Sequence, residues 1–244
     1  MTGAIKILST RLLRLLMLAS FVLLVPECVQ GADADGGVKT EFSTKGPVGL
    51  FFMVRYYSAT RTLEKAAWYF SPQGEAYENL QDGFSNADLA AHKGRKGTFK
   101  VADKTLEVIW PDGKKTTADY EPDATGFGWD MGSFTPVKPF GDAKLIAGSY
   151  EGGESLSRGG SSVAVSKSLE LRPDGTYSLE GVSTLKAGEL GAGAQSSANG
   201  TWKAEGYALT LTGSDGKTIR KLAFPYDDAK TRRIYFGGTM YKRR

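Results

Sequence analysis

The chain has 244 residues, of which 31 are Gly and 9 Pro, with 41% hydrophobic, 11% aromatic and 24% charged side chains and a formal charge of +4. Glycine is nearly twice its usual share of roughly 7%, and the apolar content is enough to pack a core, which excludes a disordered charged tail. The same composition argues against a long helix or coiled coil.

Lys6, Arg11 and Arg14 precede an uncharged run from Leu15 to Val25; Pro26 ends it, and small residues follow at Gly31, Ala32 and Ala34. A positive start, an apolar run of 11 residues and a small-residue cleavage site predict a secretory signal peptide over residues 1–31. Crossing a bilayer takes about 20 apolar residues, so no stable membrane anchor is expected. Cys28 invites a lipidated N-terminus, but Glu27 stands where that motif needs a small residue. Cleavage after Gly31 removes this one cysteine, and the mature chain is then expected to rest on packing without disulfides. It also leaves 28 basic against 26 acidic residues, a net of +2. That balance predicts no nucleic-acid partner. The expected location is secreted or periplasmic, with residues 32–39 as a flexible leader.

The remainder reads as an internal duplication. Residues 97–116 align without gaps to residues 200–219, and 7 of the 20 positions are identical: Gly97/Gly200, Thr98/Thr201, Lys100/Lys203, Leu106/Leu209, Asp112/Asp215, Gly113/Gly216 and Lys114/Lys217. Upstream, Ser-Pro-Gln-Gly74 matches Arg-Pro-Asp-Gly175. Two copies are predicted, over residues 40–137 and 140–244, joined by Pro136-Val-Lys-Pro139, and each is expected to fold on its own.

Each copy reads as a string of antiparallel strands. Trp68/Phe70 and Leu106/Val108/Trp110 in the first copy show period-two spacing, as do Val163/Val165, Leu169/Leu171, Tyr177/Leu179, Leu209/Leu211 and Leu222/Phe224 in the second. Asp112-Gly113 and Asp215-Gly216 are hairpin turns, because Gly accepts positive φ. About seven strands per copy are counted between turns. Closure removes the two edges of such a meander, so the expected fold is all-β: two tandem small antiparallel up-and-down barrels. A single larger barrel is the alternative, against which the Pro-containing linker weighs. One short helix is predicted from Asn86 to Lys93, with Asn86 as cap and Gly94 as stop; the second copy has the small, polar run Lys186 to Asn199 at that place.

Gly148-Ser-Tyr150, and Gly49-Leu-Phe51 in the first copy, are similar to the Gly-x-Trp signature that opens lipocalin-type barrels, with another aromatic in place of Trp. The repeated series of strand, Pro-x-Gly turn, Gly-Thr-aromatic and Asp-Gly turn resembles a family of bacterial exported β-rich proteins with two lipocalin-like repeats. The lipocalin and avidin resemblance implies a cup for a small apolar ligand. It supplies no functional residue.

Alternation turns Trp68, Phe70, Trp110 and Trp202 inward. With Trp129 they are the candidate ligand-contacting residues of a hollow barrel; in a small barrel the same rings fill the core, which the spacing favours. His92, the one histidine, stands beside Lys93, Arg95 and Lys96 and reads as a solvated basic loop. With no Gly-x-Ser-x-Gly elbow and no cysteine nucleophile after cleavage, no catalytic residue, metal or cofactor is assigned. Asp112 and Asp215 are explained by their turns. The expected function is a non-enzymatic binding or structural module whose partner is a small apolar ligand or an envelope component. A cell-envelope hydrolase using carboxylates and a protein-interaction or inhibitor module are the alternatives.

Overall fold

The computed structural model describes residues 40–83, 85–158, 161–187, 190–227 and 231–244. The expected signal segment, the leader and Cys28 lie outside the described residues. The described residues belong to one compact unit.

The chain is all-β and builds two antiparallel sheets in succession. The first contains β1 (Glu41–Ser43), β2 (Gly46–Tyr57), β3 (Thr62–Phe70), β4 (Glu75–Tyr77), β5 (Lys96–Ala102), β6 (Thr105–Ile109), β7 (Lys115–Asp119), β8 (Glu121–Pro122), β9 (Phe127–Trp129) and β10 (Gly132–Pro136). The second contains β11 (Gly148–Arg158), β12 (Ser161–Leu171), β13 (Thr176–Ala187), β14 (Leu190–Glu205), β15 (Ala208–Gly213), β16 (Thr218–Pro225), β17 (Arg233–Phe236) and β18 (Thr239–Arg243).

The second sheet closes: each strand pairs with the next, and β18 returns to β11 through Tyr150↔Arg243 and Gly152↔Tyr241. The first has the same cyclic order, with β10 returning to β2, but stops one pairing short of closure at a seam between β7 and β8. The sequence gives a reason. β8 is two residues long, and one of them is Pro122, which has no N–H to donate to a ladder. Tyr120, between the two strands, is buried, and its N–H donates to the Lys104 carbonyl at 2.8 Å. The strand count exceeds the expected seven per copy because elements as short as β8 and β9 carry no readable period.

The two halves repeat one turn geometry. Lys114 N–H donates to Asp112 Oδ1 and Lys217 N–H to Asp215 Oδ1, both at 3.1 Å. Gly113 and Gly216 both have φ near +79°. Phe99 N–H donates to the Gly74 carbonyl at 2.7 Å, and Trp202 N–H to that of Gly175 at 2.8 Å. The short helix α1 runs Asn86–Ala90, and its cap is Ser85 instead of Asn86: Ser85 Oγ accepts from Asp88 N–H while the Asp88 carboxylate accepts from Ser85 N–H. At the corresponding place in the second half, β13 and β14 extend into a long hairpin.

Three apolar layers organise the unit. One fills the first sheet, with Trp68, Phe70, Trp110, Trp129 and Phe134 at its centre. Another fills the second barrel around Tyr150, Leu169, Leu209, Ile234 and Tyr241. The third joins the halves. Leu50, Phe52, Ala67 and Tyr69 alternate with the inward residues of β2 and β3, and they pack on Leu222, Phe224 and Tyr235 of β16 and β17. Phe52 lies 6.1 Å from Phe224 and 5.7 Å from Tyr235, ring centre to ring centre. Tyr235 Oη donates to the Leu80 carbonyl at 3.1 Å, and Leu222 N–H to that of Gln81 at 2.8 Å. Burying one such aromatic is worth roughly 1.5–3 kcal/mol. Leu222 and Phe224 thus face the shared layer, and Ala223 between them faces the barrel interior.

Candidate functional site

Of the candidate aromatic residues, Trp68, Phe70, Trp110 and Trp129 are buried core. Trp68 is central, with Trp110 at 6.0 Å, Trp129 at 5.7 Å and Phe70 stacked at 5.8 Å. Trp129 Nε1–H donates to the Leu106 carbonyl at 2.9 Å, and Trp110 Nε1–H to Thr116 Oγ1 at the same distance. These rings pack on one another as in a filled barrel; Trp110 and Trp129 satisfy their indole N–H groups locally, while Trp68 Nε1 is buried without a hydrogen-bond partner among the described residues. Trp202 stands apart from them, packed partly buried against the core of the second barrel, with Nε1–H donating to the Arg172 carbonyl at 3.0 Å. His92 is half-buried against Tyr77, 5.8 Å between ring centres, instead of solvated. Asp112 and Asp215 are exposed turn residues, each carboxyl lowered from its ordinary value by the side chain and backbone N–H of the neighbouring lysine. Among the described residues no group of three His, Cys, Asp or Glu comes together as a metal site would require, and no helix is long and apolar enough to cross a membrane.

The interior of the second barrel is different at its two ends. The linker closes one end: Phe140 N–H donates to the Gly206 carbonyl at 2.8 Å, and Phe140 and Ile146 belong to the barrel core. A 3-10 turn, Ala143–Ile146, is pinned there by Tyr150 Oη, which donates to the Ile146 carbonyl at 2.7 Å. Moving along the barrel, the inward register rows change character. Gly148, Leu171, Tyr177 and Gly200 stand in one row, and Tyr150, Leu169, Leu179 and Ala198 in the next. The third row is Gly152, Lys167, Gly181 and Ser196.

That third row empties the lumen. Gly181 and Ser196 put no more than a hydroxymethyl group beside Leu179, whereas the space at Gly152 is taken by Thr239 and Tyr241. A cavity of ≈ 210 Å³ results at the open end, lined by Leu179, Ile219, Phe236 and Tyr241, with Lys167 and Ser196 at its wall. Gly152 is required by close approach: a Cβ there would lie 2.8 Å from Thr239 Cγ2 and 2.9 Å from Tyr241 Cδ1. Burial pushes the Tyr241 phenol up to about 12, so it is neutral at any physiological pH.

A second cleft, of ≈ 350 Å³, lies between the halves beside this opening and shares Lys167 and Gly237 with it. Lys65, Asn79 and Gln81 come from the first half, and Lys167 and Thr239 from the second. Lys167 Nζ donates to Thr239 Oγ1 at 3.1 Å. Among the described residues neither Lys65 nor Lys167 has a carboxylate partner, whereas Lys221 at the same rim is paired with Asp82.

The residues that line the opening went unread in the sequence. Lys167 left one signal: it interrupts the inward series Val165, Leu169, Leu171 at a position of the same parity. Lys65 left none, because its contribution depends on how the two halves pack. Comparison with family models, with curated proteins and with solved structures finds no match to the chain.

Proposed function

We propose that the protein is a non-enzymatic binding module that holds a small apolar ligand in the open end of its second barrel. The observation that carries this reading is the lumen itself, plugged by Phe140 and Ile146 at one end and left hollow beside Gly181 and Ser196 at the other. Its floor of Leu179, Phe236 and Tyr241 is apolar, and pockets of this kind take up apolar groups by excluding water from both surfaces. The first sheet, filled by Trp68, Phe70, Trp110 and Trp129, serves as a structural partner. The matching turns at Asp112 and Asp215 and the shared cyclic strand order support descent of both halves from one lipocalin-like repeat. The predicted signal segment supports export and a secreted or periplasmic location, where such a module would meet a small ligand or an envelope component.

The test is titration with N-phenyl-1-naphthylamine, a neutral apolar probe that fluoresces when it leaves water. Saturable binding at one site per chain is expected, weakened at least fivefold in Ile219→Asp, whose half-exposed side chain sits on the rim and out of the core. An unsaturable signal, or a variant that binds as well as the parent chain, removes the reading.

A further inference from the structure

We propose that the ligand is an acidic amphiphile, whose apolar body enters the second barrel while its carboxylate, sulfate or phosphate head is held between the halves by Lys65 and Lys167. The inference rests on the open end of the barrel being the binding site and adds the chemical class of what binds there. The two spaces adjoin, since Lys167 and Gly237 line both. One is floored by Leu179, Phe236 and Tyr241; the other is walled by amide, hydroxyl and ammonium groups and, among the described residues, by no carboxylate. A ligand that spans them needs an apolar end and an anionic end.

Lys167 sets the direction. It is half-buried and rises from a row otherwise made of two glycines and a serine. An ammonium has three N–H donors, and the one described bond here goes to the neutral hydroxyl of Thr239. A partly desolvated cation without a counter-charge is costly, and an anionic ligand removes that cost through charge-assisted hydrogen bonds. Lys65 approaches the same cleft from β3 of the first half, so the head contacts both halves at once. Other charges at the rim do not cancel this field: Lys221 is neutralised by Asp82, and Glu180, which lines the barrel opening, is exposed to water. Asn79 and Gln81 complete the wall, with Gln81 Nε2 donating to Asn79 Oδ1 at 3.2 Å.

The experiment is displacement of N-phenyl-1-naphthylamine by octanoate, octyl sulfate and octanol at matched ionic strength. Octanol is the least water-soluble of the three, so hydrophobic transfer alone ranks it first. Recognition of the head reverses the order: both anions are expected to displace the probe at about tenfold lower concentration than octanol, equivalent to about 1.4 kcal/mol. In Lys65→Gln and Lys167→Met the advantage falls below about threefold while octanol displaces as before; circular dichroism checks that both variants are folded. If octanol matches octanoate on the parent chain, the acidic head is wrong and the apolar pocket stands. If the probe itself does not bind, the pocket is wrong and this inference falls with it. Displacement by inorganic phosphate as effective as by octyl sulfate would mark an anion site without an amphiphile, and would overturn the proposal as well.

Discussion

Removing a phenol from water penalises its ionised form, and three tyrosines of this chain carry that penalty strongly. Tyr120, Tyr207 and Tyr241 are each pushed up to about 12, in every case chiefly by burial. An unfolded tyrosine titrates near 10. Between these values the folded chain keeps protons that the unfolded chain has released, so raising the pH favours unfolding. The contribution is complete below about pH 10 and lost as the pH climbs through about 12. Thermal melts from pH 8 to 12 should show a flat midpoint, then a steep fall above pH 10; Tyr241→Phe should shallow that fall, since a Phe ring has nothing to ionise. At this scale the sequence disclosed the inward aromatics and hid the lysines. Trp68 and Phe70 face inward because strand geometry alternates, and alternation is a local property. Lys167 shares that parity, but its meaning lies in the small neighbours Gly152 and Gly181, which other strands bring beside it.

Among the elements, the Asp-Gly hairpins were the most legible, because their chemistry is complete within four residues. A Cβ on Gly216 meets nothing within 4 Å, so any loss on substitution comes from its φ of +79° alone. Gly216→Val should therefore destabilise by about 1–2 kcal/mol, with Gly216→Ala costing less, because positive φ is worst for β-branched residues. Urea unfolding of the two variants measures it; equal stability to the parent would place the residue outside a strained turn. Longer elements were less legible. The runs 50–53 and 66–70 are apolar without a break, and period-two reading takes only every second residue of them. Their continuity is the mark of a strand covered on both faces, and that is how β2 and β3 sit, with Phe51 and Trp68 in one layer and Phe52 and Ala67 in another. β14 escaped for the opposite reason: nine small or polar residues from Gly191 to Asn199 offer no period at all.

At the scale of the molecule, the two-sheet architecture was legible from the matching turn and strand motifs, whereas the layer joining the halves was not, because it is made by residues more than 100 positions apart. Each half has its own core, and each presents one apolar face to the other. Expressed separately, residues 40–137 and 140–244 should keep the circular dichroism of β-sheet yet self-associate, and mixing them should restore a one-to-one complex by sedimentation. Halves that stay monomeric and ignore one another would show that the layer of Phe52, Phe224 and Tyr235 contributes little. The position of β2 has a consequence beyond packing. It is hydrogen-bonded to β3 on one side and to β10, with β1, on the other, and both of its faces are covered, one by the first core and one by the second half. No local fraying uncovers its central amides. Their hydrogens exchange with solvent deuterium only when both halves open together, so β2 times the global opening of the chain while the long hairpin of β13 and β14 exchanges on its own, faster clock.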